Sequence, residues 1–328
     1  MFSFVIPAYG VGDYVGEALA SLRGQEECGW EAVCVDDGSR DGTGRILDEE
    51  ARADARIRVI HQRNGGVSAA RNRALQWVRG LWVAFLDADD VLHPWMLATI
   101  RKVLDEQPEV EMVTFGHVYA ETPHFSDMED WSKPEWRLVD ISQRLWASVA
   151  RTGLWEAVYR RSLVAQFRFE PMVVGEDRLY VVEAVCRTRK VIRLPYPFYG
   201  YRKRQGSAIL SPWTVRKVQD EFLSGVAMLQ CYCRSGRIVD VGLIRGECVR
   251  VVERFSFLMS ALANGLEKQR LYQTAFTVYR TLAHERKLSC WFRVVFGVAG
   301  RLRSVWFLWL VGELPFRLKL WRNRLRGA

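Results

Sequence analysis

The chain has 328 residues, of which 49% are hydrophobic and 26% charged, so it can bury a core and is not expected to be disordered over most of its length. Its net charge of +9 comes from residues 286–328, which carry ten Lys or Arg and one acid, whereas the rest of the chain holds 37 basic and 37 acidic residues. Because nucleic-acid-binding domains carry their basic charge on the folded domain, we expect no nucleic-acid partner.

The cysteine pattern and the hydropathy exclude several further classes. The seven cysteines are scattered and contain no Cys-x-x-Cys pair, so neither a disulfide framework nor a zinc site is expected. The N-terminus lacks the charged and apolar regions of a signal peptide. No stretch reaches the ~18 uninterrupted apolar residues that a membrane-spanning helix needs.

Strand-like and helix-like segments alternate over the first 120 residues. The apolar and β-branched runs predict strands over residues 2–9, 32–35, 57–60, 81–86 and 112–118. Helical spacing predicts helices over residues 13–23, 43–53, 67–78 and 94–104. This alternation indicates βαβ units and a parallel sheet, in which ligands bind beyond the carboxyl ends of the strands. Residues 120–170 are expected to be irregular, and residues 211–286 mostly helical.

Two polar motifs follow the second and third predicted strands. Asp36 and Asp37 begin an Asp-Asp-Gly turn whose carboxylates can accept hydrogen bonds from a base, although a surface turn that caps the next helix explains the pattern equally. Glycines at 65–66 lead into a helix, whose N-terminus favours anions. Arg71 on that helix can pair with a phosphate; a plain capped helix is the alternative.

Three acids directly follow the strand predicted at 81–86. Asp87, Asp89 and Asp90 supply the carboxylate oxygens that hard divalent cations prefer, and such cations share coordination with a diphosphate. Leu92 stands where an EF-hand loop needs glycine, so that motif is excluded. A cap for the helix that opens at Pro94 is the alternative, but three carboxylates exceed what a cap requires.

Two motifs lie further along the chain. Glu176 and Asp177 open a predicted helix, where one of them can serve as a general base or where both can simply stabilise the helix N-terminus. Residues 199–207 combine aromatic and basic side chains that can close over a diphosphate, or form a basic surface loop after an edge strand.

In order and spacing, these motifs resemble the inverting family-2 glycosyltransferases with the GT-A fold. The resemblance covers about residues 1–210 and is carried by the segments 5–9, 35–39, 41–43, 66–72, 87–90, 176–177 and 201–207. It implies an α/β fold, GT-A, with a Rossmann-like, mixed and mainly parallel sheet flanked by helices. We expect a glycosyltransferase domain at 1–210, a helical extension at 211–285 and a membrane-associating segment at 286–328. Gly10 departs from the family, which usually carries Asn there.

The resemblance also implies the chemistry. The enzyme is expected to be a hexosyltransferase that transfers a sugar with inversion of the anomeric centre. The expected donor is a nucleoside diphosphate sugar, and in the first place a UDP-sugar; the expected acceptor is a hydroxyl of a saccharide or of a lipid-linked molecule. Mg²⁺ or Mn²⁺ is expected at Asp89 and Asp87, and the general base is Asp177, or Glu176. Tyr9 is expected to stack on the base and Asp37 to hydrogen-bond it. The expected donor-binding residues are Pro7, Tyr9, Asp37, Gly38, Asn64, Arg71, Asp87, Arg202 and Ser207.

Two other functions compete with this one. The glycines at 10, 12 and 16, with Asp36 twenty residues further on, imitate a dinucleotide fingerprint and suggest an NAD(P)-dependent Rossmann oxidoreductase. In this chain three residues separate the glycines at 12 and 16, whereas the fingerprint has two. The acids at 87–90 and 176–177 would have no role in an oxidoreductase of this type. The second competitor is a non-catalytic, membrane-docked scaffold protein.

The segment 286–328 interleaves basic and aromatic residues. Residues 305–311 form an apolar run of seven, which is too short to span a bilayer. A helix lying in the headgroup region of an anionic membrane fits this composition, and predicts peripheral attachment at the cytoplasmic face of the cell membrane. A core-packing helix or a homodimer interface is the alternative. The aromatic residues of the segment are Trp291, Phe292, Phe296, Trp306, Phe307, Trp309, Phe316 and Trp321.

Overall fold

The computed structural model describes residues 1–123, 125, 137–139, 149, 152–204 and 212–235, and also 247, 250–251, 253–255, 257–258 and 273. Ser207, the segment 286–328 and the boundaries predicted at 210 and 285 lie outside the described residues. The chain divides into two compact units, one of Met1–Met172 with Glu176–Ser211 and one of Val173–Gly175 with Pro212–Ala328.

The first half of unit 1 is a parallel α/β layer. Its elements are β1 (Phe2–Ala8), α1 (Val15–Arg23), β2 (Trp30–Asp36), α2 (Thr43–Ala53), β3 (Ile57–His61), α3 (Val67–Leu75) and β4 (Trp82–Phe85). Strand β1 lies between β2 and β4, β3 adds beside β2, and all these pairs are parallel. These strands and helices confirm the alternation predicted from the sequence.

The second half of unit 1 makes the sheet mixed. Its elements are β5 (Val91–Leu92), α4 (Met96–Glu106), β6 (Met112–Ala120), β7 (Arg137–Val139), a 3₁₀ turn (Leu154–Glu156), β8 (Ala157–Arg160), α5 (Arg161–Val164), α6 (Glu176–Arg187) and β9 (Val191–Arg202). Over the described residues the sheet has nine strands in the order β3-β2-β1-β4-β8-β6-β9-β5, with β7 beside β9. Strand β8 is antiparallel to β4 and β6, whereas β6 and β9 are parallel. This is the predicted GT-A fold class.

The structure corrects three details of the prediction. The helix expected at 94–104 begins at Met96, because His93–Met96 forms a turn in which the Met96 N–H donates to the His93 carbonyl at 3.0 Å. The helix expected to reach residue 78 ends at Leu75. The segment 120–170 is not wholly irregular, since it contains β7, β8 and α5, which are too short to show a hydrophobic period.

The core explains why the strands read as continuous apolar runs. The side chains of β1 from Phe2 to Ile6 are buried, and so are all four residues of β4. Helices cover both faces of a parallel sheet, so its central strands have no solvent face that polar residues can occupy. Helix α1 contributes Val15, Leu19 and Leu22 to the same core.

Unit 2 is described chiefly by α7 (Val215–Ser235). The Val173 N–H donates to the Asp220 carboxylate at 2.7 Å, which ties the short segment Val173–Gly175 to this helix. Phe222 packs against Phe255 with ring centroids 5.9 Å apart. Among the helices that the structure describes, none is long and apolar enough to cross a membrane.

Candidate active site

The carboxyl ends of β1, β2 and β4 meet at one edge of the sheet because these strands are parallel. Tyr9 follows β1 and is 55% exposed. Pro7 lies in β1 opposite Val35 of β2, while the register with β4 ends at Val5. A proline with no N–H is therefore tolerated in a central strand, because the ladder on that side has already ended.

Asp37 holds the loop after β3 against the end of β2. Its Oδ1 accepts hydrogen bonds from Gln62 Nε2 at 2.7 Å and from the Gly65 N–H at 2.8 Å, and its Oδ2 accepts from the Gly66 N–H at 2.8 Å. The side chain is buried. A carboxylate has about four acceptor sites, so the base contact expected of Asp37 stays a prediction alongside this structural role.

The backbone conformation at position 38 and the close approach of the next loop both require glycine there. Its φ is +74°, and an added Cβ would lie 2.9 Å from the Asn64 backbone nitrogen. A side chain at this position would therefore strain the backbone and push away the loop that carries Asn64. Asn64 itself is exposed, at the edge where its predicted contact with a donor would occur.

The glycine loop after β1 does not offer a free anion site. The Val11 N–H donates to Thr43 Oγ1 at 2.9 Å, and the Gly12 N–H donates to Asp41 Oδ2 at 3.0 Å. A dinucleotide site needs such amides for the pyrophosphate. Because Asp41 of the β2–α2 loop and Thr43 at the start of α2 already accept from these amides, this geometry counts against the Rossmann oxidoreductase alternative.

The acids that follow β4 have different environments. Asp90 is buried, accepting from the Tyr199 hydroxyl at 2.7 Å and from the Arg202 N–H at 2.8 Å. Burial, together with repulsion from Asp87 and Asp89, raises the pKa of Asp90 to about 8. Asp90 therefore anchors β9 beneath the site, and the partly exposed Asp87 and Asp89 form its surface.

Arg202, the last residue of β9, and Arg204, two residues further on, contact this acidic turn. The buried Arg202 donates to the Asp89 carbonyl at 2.8 Å and to Glu17 Oε2 at 2.6 Å, so its guanidinium is used in holding the turn. Arg204 pairs with the Asp89 carboxylate and is 21% exposed. The sequence predicts that Arg202 binds the donor. In an extended chain, side chains two residues apart point to the same side, so Arg204 lies on the same side as Arg202.

Arg71 connects the acids after β4 with those that open α6. Its Nη2 donates to Asp87 Oδ1 at 3.0 Å, and its Nη1 donates to Glu176 Oε1 at 2.9 Å. The side chain is only 6% exposed, and its guanidinium lies 5.4 Å from the Phe169 ring centroid. The phosphate contact predicted for Arg71 stays a prediction; in the structure this side chain bridges two carboxylates.

Glu176 and Asp177 occupy unequal positions in the first turn of α6. Glu176 is buried, and its pKa is raised to about 7 by burial and then by the charge of Asp177, against the opposing effect of Arg71. Asp177 is half-buried, and its Oδ1 accepts from the Arg178 N–H at 2.7 Å. Glu176 is therefore tied into the protein, whereas Asp177 is the more accessible acid.

The carboxylates at this edge of the sheet suit a divalent cation that takes its remaining ligands from a bound substrate. Within the described residues, no group of three or more His, Cys, Asp or Glu side chains is arranged to hold a metal ion. Asp87 and Asp89 nevertheless present two carboxylates that are 29% and 20% exposed. Mg²⁺ in proteins is commonly bound through one or two carboxylates together with substrate phosphates, and this pair meets that requirement.

Two residues have positioning roles that were not predicted from the sequence. The buried Tyr199 hydroxyl accepts from the Asp87 N–H at 3.1 Å while it donates to Asp90, which fixes the backbone of the acidic turn. His61 lies between Asp36 and Asp48, with both ring nitrogens 3.0 Å from a carboxylate oxygen; these contacts raise its pKa. Only the aromatic residues near 199 gave a signal in the sequence.

A mixed sheet of this order, with acids directly after β4 and at the start of α6, is the architecture of the GT-A fold. The model of the family described as Glycosyl transferase family 2 matches residues 3–167. The chain belongs to this family.

Relatives with similar sequences include glycosyltransferases of two bacteria. Glycosyltransferase GlyA of Streptococcus pneumoniae serotype 4 is 31% identical over 222 residues, which cover 64% of this chain and 31% of GlyA. The uncharacterized glycosyltransferase EpsJ of Bacillus subtilis is 28% identical over 233 residues, which cover 68% of this chain and 66% of EpsJ. The match thus spans less than two thirds of either relative.

Solved structures support the fold. S. aureus TarS 1–349 in complex with UDP-GlcNAc has a TM-score of 0.67 at 21% identity, covering 97% of this chain and 92% of that one. The mannosyltransferase PcManGT from Pyrobaculum calidifontis, in complex with GDP-Man and Mn²⁺, has a TM-score of 0.51 at 16% identity, with 97% and 86% covered. At these identities the likeness concerns the fold alone.

Proposed function

We propose that this glycosyltransferase moves a sugar from a UDP-sugar to a hydroxyl of a saccharide or lipid-linked acceptor, with inversion at the anomeric carbon. The observation that carries the proposal is the bridge by Arg71, which joins Asp87 and Glu176, 16 and 105 positions away along the chain. It brings the acids of the expected donor site next to those of the expected base. The UDP-GlcNAc complex of TarS supports the choice of nucleotide.

The donor would lie at the carboxyl edge of β1, β2 and β4. The exposed Tyr9 ring offers a face on which the base can stack, and Asp37, Asn64 and the Gly38 turn border the same edge. Asp89 and Asp87 would hold a Mg²⁺ or Mn²⁺ ion, which, when bound, supplies Lewis-acid stabilisation of the leaving diphosphate. The Mn²⁺ complex of PcManGT supports this choice of cofactor.

Asp177 is the proposed general base. As the acceptor oxygen attacks the anomeric carbon, its proton passes to the Asp177 carboxylate, and the bond to the diphosphate breaks on the opposite face. The half-buried position of Asp177 suits this role better than that of Glu176, which is buried and ion-paired with Arg71. Glu176 would instead orient Arg71.

The test is Asp177→Asn, assayed by release of UDP in the presence of acceptor. General-base assistance is worth about 10²–10⁴-fold, so turnover should fall by that factor while the affinity for UDP, measured by calorimetry, is unchanged. Glu176→Gln is the matched comparison. Near wild-type turnover in Asp177→Asn with a large loss in Glu176→Gln would move the base to Glu176. Normal turnover in both would refute the assignment of this motif.

We also propose that residues 286–328 attach the enzyme peripherally to the anionic, cytoplasmic face of the cell membrane. The support is the composition of the segment, with ten basic residues and one acid among its aromatic side chains. Such attachment would suit a lipid-linked acceptor; a homodimer interface is the competing use of the segment.

A further inference from the structure

Four partly exposed ring side chains form an aromatic platform beside the acids. We define the aromatic platform as His117, Tyr119, Trp155 and Tyr201. Tyr119 and Tyr201 face each other across the β6–β9 pair with ring centroids 5.0 Å apart. His117 lies 4.4 Å from Tyr119 and 4.8 Å from Trp155, and Trp155 lies 5.3 Å from Tyr201.

The aromatic platform is connected to both halves of the candidate active site. Trp155 stacks on Tyr199, with centroids 4.5 Å apart and an interplanar angle of 24°, and the Tyr199 hydroxyl bonds to Asp90 and to the Asp87 N–H. The 3₁₀ turn that carries Trp155 also packs against α6, the helix that Glu176 begins. The aromatic platform therefore adjoins the elements that carry the proposed donor carboxylates and the proposed base.

Exposure distinguishes the aromatic platform from the core beneath it. Tyr199 and Phe198 are fully buried, as core rings are, whereas Tyr119 is 54% exposed and the other three members are partly buried. The edge contacts and the stack hold the rings in one arrangement. Their accessible surface is thus a fixed aromatic face and not a set of independent side chains.

Fixed polar groups lie next to these rings. Glu156 Oε1 is 2.6 Å from His117 Nδ1, and Glu156 also accepts from the Gly153 N–H, so its carboxylate is oriented. The Lys203 ammonium lies 5.5 Å from the Tyr119 ring centroid, as expected because the negative face of an aromatic ring attracts positive charge. Rings bordered by oriented carboxylate, imidazole and ammonium groups offer both stacking and hydrogen bonding.

A pyranose ring matches this combination. One face of such a ring presents axial C–H bonds, whose hydrogens carry partial positive charge, and its edge presents hydroxyls. The C–H face is attracted to the negative face of an aromatic ring, and the hydroxyls pair with polar side chains such as Glu156. A flat apolar ligand has no hydroxyls that could donate to the acceptor sites that the Glu156 carboxylate keeps beside its bonds to His117 and Gly153.

We propose that the aromatic platform is a pyranose-binding subsite of this enzyme. The proposal deepens the proposed function and rests on it. Two sugars reach this part of the site, that of the donor and that of the acceptor, and the same stacking chemistry would hold either. The experiment therefore treats them in separate arms.

The measurement is saturation-transfer difference NMR on the full chain. The probes are UDP-GlcNAc, UDP-glucose and UDP-galactose in one arm, and methyl β-D-glucopyranoside and N-acetylglucosamine, each with UDP present, in the other. The variants are Tyr119→Leu and Trp155→Leu. Tyr119→Leu changes an exposed ring and should leave the fold intact. The matched control is Trp77→Leu, since Trp77 is 42% exposed and lies outside the aromatic platform.

We expect the pyranose ring protons to receive saturation in the wild type, and the affinity of the affected probe to fall about tenfold in both platform variants but not in the control. If the variants lose saturation transfer only at the sugar protons of the UDP-sugars and keep it at the uridine protons, the aromatic platform binds the donor sugar. If they lose saturation transfer to the free glycosides, the aromatic platform binds the acceptor sugar. Unchanged affinity in both variants, or no pyranose signal for any probe in the wild type, would overturn the proposal. Glycoside binding without any uridine signal would contradict the UDP-sugar donor and leave the aromatic platform standing.

Discussion

Replacing Arg71 by methionine tests the central bridge of the site. Arg71 is only 6% exposed and joins Asp87 and Glu176. Methionine fills much of the same volume but leaves the buried Glu176 carboxylate without its cation. Breaking a buried ion pair by removal of one partner typically costs about 3–5 kcal/mol. Asp87 is 29% exposed, so solvent compensates it, and most of the loss is expected to come from Glu176.

The pH dependence of the unfolding free energy distinguishes the unpaired Glu176 charge from lost packing as the cause of the destabilisation. The pKa of Glu176 is raised from 4.5 to about 7 in the folded protein. A raised pKa gives stability that is complete below about pH 4.5 and is lost as pH rises through about 7, a change of about 3 kcal/mol at 1.36 kcal/mol per unit. Without Arg71, which lowers the pKa of Glu176, the loss continues to higher pH. The deficit of Arg71→Met should therefore be larger at about pH 8.5 than at about pH 5.

Urea unfolding followed by tryptophan fluorescence measures this deficit at both pH values. With a slope of ~2 kcal/mol per molar urea, the midpoint should fall by more than ~1 M at about pH 8.5. Arg71→Met combined with Glu176→Gln should recover part of that loss. The control is Arg45→Met, which breaks an exposed pair with Glu49 and should change the unfolding free energy by less than ~0.5 kcal/mol. Equal deficits at both pH values, or equal effects of the two methionine variants, would refute the reasoning.

Three further predictions follow from single features. Thermal unfolding should show that Gly38→Ala destabilises the fold by about 2 kcal/mol, because the φ of Gly38 is +74°. Gly42, at a φ of −72°, is the control, and Gly42→Ala should be neutral or stabilising in the same measurement. Asp89→Ala should abolish the Mn²⁺ dependence of UDP binding in calorimetry, and an unchanged dependence would remove Asp89 from the metal site. The full chain should pellet with anionic vesicles and be released by high salt, and a version ending at residue 285 should not; equal pelleting of both versions would favour the interface alternative.

The sequence was sufficient for the parallel half of the fold because its signals are local. β1, β2 and β4 are buried on both faces and read as apolar runs, and their carboxyl ends coincide with the polar motifs at Asp37 and Asp87. The direction of Arg71 was not predictable, since its partner Glu176 lies 105 positions away. Nor does a run of acids reveal that Asp90 is the buried one, because that depends on its contact with Tyr199, 109 positions distant.

The charges at the sheet edge give a physical reason to expect a divalent cation. Arg71 contacts Asp87, and Arg204 contacts Asp89, while Asp177 accepts a bond from a backbone N–H. The four acids Asp87, Asp89, Glu176 and Asp177 outnumber the two arginines, so negative charge remains at the place where the diphosphate of the proposed donor would arrive. Two like charges 4 Å apart near a protein surface repel by about 4 kcal/mol. A divalent ion on the exposed carboxylates would offset this local negative charge, so we expect donor affinity to fall on chelation and to return when the ion is restored.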